Sequence, residues 1–104
     1  MPSQQQINAF TQAFHLTAIQ RLAAEPALVE RALQTVERWH VQRGPSASDP
    51  YMREWQVLLR GDLRELQNRV CAESDEAATL RNASPLGFVL TPVERQALRA
   101  QSVV

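Results

Sequence analysis

Residues 80–95 read LRNASPLGFVLTPVER, and how this stretch is placed decides how the rest of the chain is organised. No charged residue occurs between Arg81 and Glu94, and Pro85 and Gly87 interrupt any helix there. Leu86, Phe88, Val89 and Leu90 are too apolar for a connector lying wholly in water. A buried connector must find partners for its backbone N–H and C=O groups, and Arg81 or Ser84 is placed to supply them. The expectation is a plug laid against a helical core. Thr91-Pro92-Val93-Glu94 then combines a cap, a helix-starting proline and a capping-box glutamate, which predicts a last helix over about 92–101.

Working back from the plug, Ser74 followed by Asp75 and Glu76 predicts a short helix over 75–82, with acids at its positive end. Upstream, Ser3 caps a first helix over about 3–24, in which Ile7, Phe10 and Phe14 and then Leu16, Ile19 and Leu22 recur at helical steps. The apolar face drifts between the two sets, as in a helix that bends or is covered on two sides, and this leaves room for a homodimer. Pro26 opens a second helix over 27–43, with Val29, Ala32, Leu33, Val36 and Trp39/His40 on one stripe, ended by Gly44-Pro45. After the loop GPSASDP, Asp49 as cap and Pro50 at the first turn start a third helix over 50–60 carrying Met52, Trp55, Leu58 and Leu59. Gly61-Asp62, with Glu65 three residues on, marks a turn or a kink before a fourth helical stretch over 62–73 with Leu63, Leu66 and Val70. No alternating strand pattern and no repeat occurs. The expected fold is all-α, a single domain over 1–104 of five or six helices in an irregular or orthogonal bundle.

Composition narrows the functional classes. Hydrophobic residues make up 44% and charged residues 21% of the 104 residues, so a disordered or membrane-embedded chain is not expected. No window approaches the roughly 18 uninterrupted apolar residues of a membrane span, and MPSQQQINAF lacks the basic start and apolar centre of a secretory signal; the cytoplasm is the expected compartment. Eleven acidic residues cancel eleven basic ones, all arginine, which removes the long-range attraction to phosphate polymers. Nucleic acid is not an expected partner on this ground. Arginine suits planar bidentate contacts with carboxylates.

The stretch over 80–95 resembles the C-terminal signature of a bacterial family of small, mostly uncharacterised helical proteins, which reads approximately Leu-Arg-x-Ser-Ser-Pro-Phe-x-x-Val-Leu-Ser/Thr-Pro-x-Glu-Arg. The matching positions are Leu80, Arg81, Ser84, Pro85, Val89, Leu90, Thr91, Pro92, Glu94 and Arg95. LVERALQTVERWHVQRG and DPYMREWQVLLRGDLREL are similar to the family's Trp-bearing helix and its Trp-Leu-Leu-Gly segment, so the likeness spans roughly residues 16 to 95. Asn82-Ala83, Leu86 in place of phenylalanine, and Gln96 in place of an aromatic depart from the pattern. The resemblance implies an antitoxin-like protein, of a kind often paired with a nucleotidyltransferase-like or other toxin-type protein. Some such proteins carry a separate DNA-binding domain, for which this chain has no length left, so a stand-alone partner-binding module is expected. The resemblance supplies no established site residue.

Chemistry finds little support. His15, His40 and Cys71 fall on separate helices, and none has a second ligand at i+3 or i+4. Cys71 reads as packing, and His40 as a cation favoured at a helix C-terminus. The acids at 25, 30, 37, 54, 65 and 73, and Glu94 beside Arg95, read as solvated faces. The expectation is no enzyme, with no catalytic, metal or cofactor residue. Trp39, Arg43, Tyr51, Arg53 and Trp55 flank one loop and are of the types enriched at binding hot spots, so they are the candidate partner surface; closure of the core by both tryptophans is the alternative. Arg81, Ser84, Pro85, Phe88, Leu90, Thr91 and Glu94 form the candidate structural motif. The functional alternative is a small helix-turn-helix regulator, with Arg64, Gln67, Asn68 and Arg69 facing a groove, although Asp62 and Glu65 put negative charge near the phosphates.

Overall fold

The computed structural model describes residues 3–102, so the outermost residues of the expected 1–104 span lie outside the described residues. Among the described residues there are six α-helices, one 3₁₀ turn and no strand: α1 (Gln4–Ala24), α2 (Ala27–Arg43), α3 (Asp49–Arg60), α4 (Leu63–Val70), α5 (Asp75–Asn82) and α6 (Pro92–Ser102), with the 3₁₀ turn at Leu86–Phe88. This is the all-α single-domain bundle expected. The helix α1 is the hub and packs against α2, α4, α5 and α6, while α2–α3, α3–α4 and α4–α5 pack as successive neighbours.

Most helix ends follow from their caps. Ser3 and Gln6 complete a capping box at α1, the Ser74 hydroxyl accepts from the Ala77 N–H, and Thr91 and Glu94 bond reciprocally at 3.1 and 3.2 Å. Two ends depart from expectation, and a third settles an open alternative. Ser48, not Asp49, precedes α3, and its side chain makes no capping bond; Asp49 lies within the first turn. Asp62 caps α4 through the Arg64 N–H, which resolves Gly61-Asp62 as a turn between two helices. Finally, α4 stops at Val70 instead of continuing to 73.

The early stop has a physical cause. The carbonyls of Val70 and Ala72 accept from Arg81 Nη1 at 2.7 and 3.1 Å, and the carbonyl between them, of Cys71, accepts from Gln12 Nε2 at 2.6 Å. Oxygens that a continuing helix would use internally are taken by side chains of α5 and α1. Arg81 is only 6% exposed and also donates to the Thr11 hydroxyl on α1. Of the two alternatives for serving the plug, Arg81 instead joins α5 to the C-terminal end of α4 and to α1.

The plug forms. Pro85, Leu86, Val89 and Leu90 are buried, and the Ser84 hydroxyl accepts from the Leu86 N–H, as expected. Phe88 is half-buried under the Arg31 guanidinium, 4.4 Å from its ring centre. Beneath lies a core that includes Ile19, Leu22, Val36, Trp55, Leu59 and Leu66. Trp55 is fully buried, and its indole N–H donates to the Leu80 carbonyl at 2.8 Å, so the last turn of α5 is held to α3. Beyond the plug, α6 runs antiparallel along α1. Glu94 binds Arg21 through both carboxylate oxygens, Arg95 lies over Phe14 and donates to the Gly87 carbonyl, and Arg99 lies over Phe10. Glu94 and Arg95 are thus not a solvated pair.

If the plug is core, Leu90→Ala should cost about 2–5 kcal/mol, while Val93→Ala, at a position 78% exposed, should stay within about 0.5 kcal/mol of the parent. Urea denaturation of the two variants checks the contrast.

Candidate partner-binding groove

The five residues proposed as one patch divide three ways. Trp55 is a core residue. Arg53 lies with Glu37, His40 and Gln56 on one side of the α2–α3 pair. Trp39, Arg43 and Tyr51 line a groove on the other side, of about 250 Å³, together with Thr79 and Asn82 of α5. The two tryptophans therefore answer to different readings: one closes the core, while the other stands half-buried at the surface. Spacing already hints at the division: Arg43 lies one turn after Trp39, whereas Arg53 is two residues from both Tyr51 and Trp55 and so points to another side of α3.

The end of α2 and the start of α3 make the groove. Gly44, at φ 67° and ψ −164°, takes a positive-φ conformation open to glycine that ends α2, and the loop returns the chain so that Tyr51 and Trp39 line the same groove. Arg43 lies over the Trp39 ring at 5.4 Å, a cation–π contact that orders its guanidinium without neutralising it. Tyr51 is 37% exposed. Among the described residues no carboxylate lines the groove. It offers aromatic faces, one cation, and hydroxyl and amide groups from Ser48, Thr79 and Asn82. Thr79 and Asn82 were not anticipated, since nothing in their local sequence announces that α5 forms the third wall.

The histidines and the cysteine take separate positions. His40 is exposed in the last turn of α2. Cys71 is half-buried, and burial pushes its thiol pKa up, opposite to what a reactive thiolate needs. His15 is buried between Phe14 and Trp55, with ring centres 5.3 and 6.0 Å away, and its Nδ1–H donates to the Thr11 carbonyl at 2.7 Å. Burial is the main cause that lowers its pKa from 6.5 to about 4; the Thr11 bond opposes the shift and the nearby Arg81 charge adds to it. Among the described residues no group of three His, Cys, Asp or Glu side chains is arranged to hold a metal ion, and no helix is long and apolar enough to cross a membrane. Of the helix-turn-helix candidates, Arg64 is exposed in the first turn of α4. Arg69 bonds Glu54 at 2.5 Å and Glu76 at 3.0 Å, while Gln67 and Asn68 line a groove against α1.

The Glu94 carboxyl is held at about 2, below its ordinary 4.5, chiefly by Arg21 and then by the Thr91 N–H. Its contribution is therefore complete above pH 4.5 and lost as pH falls toward 2. For His15 the lowered value means that the folded protein resists protonation. Stability should be complete above pH 6.5 and fall as pH drops toward 4, by on the order of 3 kcal/mol in all. His15→Leu should flatten that segment of the stability profile, measured by urea midpoint against pH, while leaving the loss below pH 4.5 in place. No protein-family model matches the chain, and comparison with curated proteins and with solved structures gives no match either.

Proposed function

We propose that the protein is a non-enzymatic binding module whose groove between α2, α3 and α5 docks another protein. The observation that carries this reading is the grouping of Trp39, Tyr51 and Arg43 at an accessible, carboxylate-free depression. Aromatic residues and arginine supply most of the binding energy at protein interfaces, since they offer large rigid area with a directional polar end. An arginine already stacked on tryptophan loses little side-chain freedom on binding. The groove suits an acidic side chain flanked by an apolar one.

The partner class rests on the resemblance of residues 80–95 to antitoxin-like proteins: a toxin-type protein, nucleotidyltransferase-like in one form, whose active surface this chain occludes or regulates. The positions that carry the resemblance are engaged in the plug, its anchors and the α6 cap, which leaves docking to surfaces elsewhere. Recognition of DNA by α3 and α4 has less support, because Arg69 is engaged by two carboxylates and the net charge is zero.

A tagged chain used to capture proteins from its native host tests the reading. Trp39→Ala and Arg43→Ala should each reduce recovery of the captured protein by about tenfold or more, and Arg53→Ala, on the other side of the α2–α3 pair, should not. Equal recovery with all three variants would remove the groove from consideration.

A further inference from the structure

The groove between α2, α3 and α5 is lined by polar side chains that the fold leaves unused. Among the described residues Arg43 has no ion pair or hydrogen bond; its guanidinium lies over the Trp39 ring at 5.4 Å. The hydroxyls of Ser48 and Tyr51 and the side-chain amide of Asn82 also have no hydrogen-bond partner there. The carboxylates that could neutralise Arg43 are placed elsewhere. Each wall helix carries two of them. On α2, Glu30 sits in the first turn, at the opposite end from Arg43, and Glu37 lines the depression beside Arg53. On α3, Asp49 accepts from the Ser46 hydroxyl and lines that same depression, while Glu54 is held by Arg69. On α5, Glu76 is also held by Arg69, and Asp75, with Glu73 before it, lines the depression against α1. The positive charge at the groove is therefore left for an acceptor from outside the chain.

A depression of about 250 Å³ admits one or two side chains, and a helix, about 10 Å across, cannot enter it. A helix also spends its backbone groups internally. An extended segment keeps N–H and C=O groups free, and Ser48 before α3 and Asn82 on α5 can pair with them. In an extended chain alternate side chains share a face, about 7 Å apart. That step is close to the 5.4 Å between the Arg43 guanidinium and the Trp39 ring centre. We infer, on the basis of the docking role proposed above, that the groove takes a short extended segment of the partner in which an Asp or Glu stands two residues from a large apolar residue. The carboxylate meets Arg43, whose planar fork matches its two oxygens. The apolar side chain lies against Trp39 and Tyr51, over Met52, which is 4% exposed.

A random heptapeptide phage library, selected on the full chain and counter-selected on Arg43→Ala, a change at an exposed position, provides the test. Enriched sequences should carry Asp or Glu two positions from an aromatic or large aliphatic residue. The most enriched peptide, synthesised with both ends blocked, should change the fluorescence of Trp39, because Trp55 is fully buried. Replacing its acid by the amide, or Arg43→Ala in the protein, should each weaken binding about tenfold or more. The two changes together should weaken it little beyond either alone, and Arg53→Ala should bind like the parent. No enrichment over the counter-selection, an acid-free consensus, or an acid three or four positions from the apolar residue, as on a helix, would overturn the proposal. Capture from the native host with Trp39→Ala and Arg43→Ala separates this claim from the one it rests on. Variants that lose the host protein while the library fails keep the groove as the docking site and remove the extended acidic segment; variants that keep the host protein remove both.

Discussion

Three consecutive carbonyls at the end of α4 accept from side chains of other helices: Arg81 takes those of Val70 and Ala72, and Gln12 takes that of Cys71. The rest of the structure depends on this arrangement. A helix C-terminus carries partial negative charge and unsatisfied oxygens, and a buried arginine carries a full positive charge that needs both. Neither Arg81 nor α4 could be buried at this point without the other. Among the described residues no carboxylate bonds Arg81. Burial lowers its pKa from the ordinary arginine value, yet a guanidinium keeps its proton far above neutrality, so the carbonyls carry the compensation. Because Arg81 sits in the last turn of α5, the contact also places Leu80, whose carbonyl receives the Trp55 indole. Four helices are thereby referred to one point.

The plug starts from that point. Ser84 turns the chain, Pro85, Leu86, Val89 and Leu90 enter the core, and Thr91 with Glu94 starts α6. Glu94 and Arg95 then fasten α6 to α1 and to the plug itself. Arg81, Ser84, Leu86, Leu90, Thr91, Glu94 and Arg95 thus each have a structural task. These residues serve the fold, so the surface proposed for docking is elsewhere, in the aromatic groove between α2, α3 and α5.

Much of this was legible because the local signals agree. Ser3, Ser74 and Thr91-Pro92 are short-range punctuation whose physics needs no tertiary partner, and the helices they start appear within a residue or two of where spacing puts them. The apolar run after Ser84 could be read as buried for the same reason. What could not be read was pairing at a distance. Arg81 and Glu94 each look like surface residues of a short helix until Val70, Ala72 and Arg21 are brought to them from 9 or more residues away. The length of α4 was missed on this account, since its end is decided by a side chain on the next helix. Trp39 and Trp55 carry the same chemistry beside the same loop, and only their positions around two helices send one to the groove and one to the core.

The central claim is that Arg81 is a structural tie at the end of α4. Equilibrium urea unfolding of Arg81→Met and Arg81→Lys measures it most directly. Methionine keeps the volume and removes every donor; lysine keeps the charge without the planar fork. Both variants should lose on the order of 2–4 kcal/mol, with lysine recovering only part of the methionine loss, because buried carbonyls are left unpaired. Unfolding midpoints indistinguishable from the parent in both variants would contradict the account.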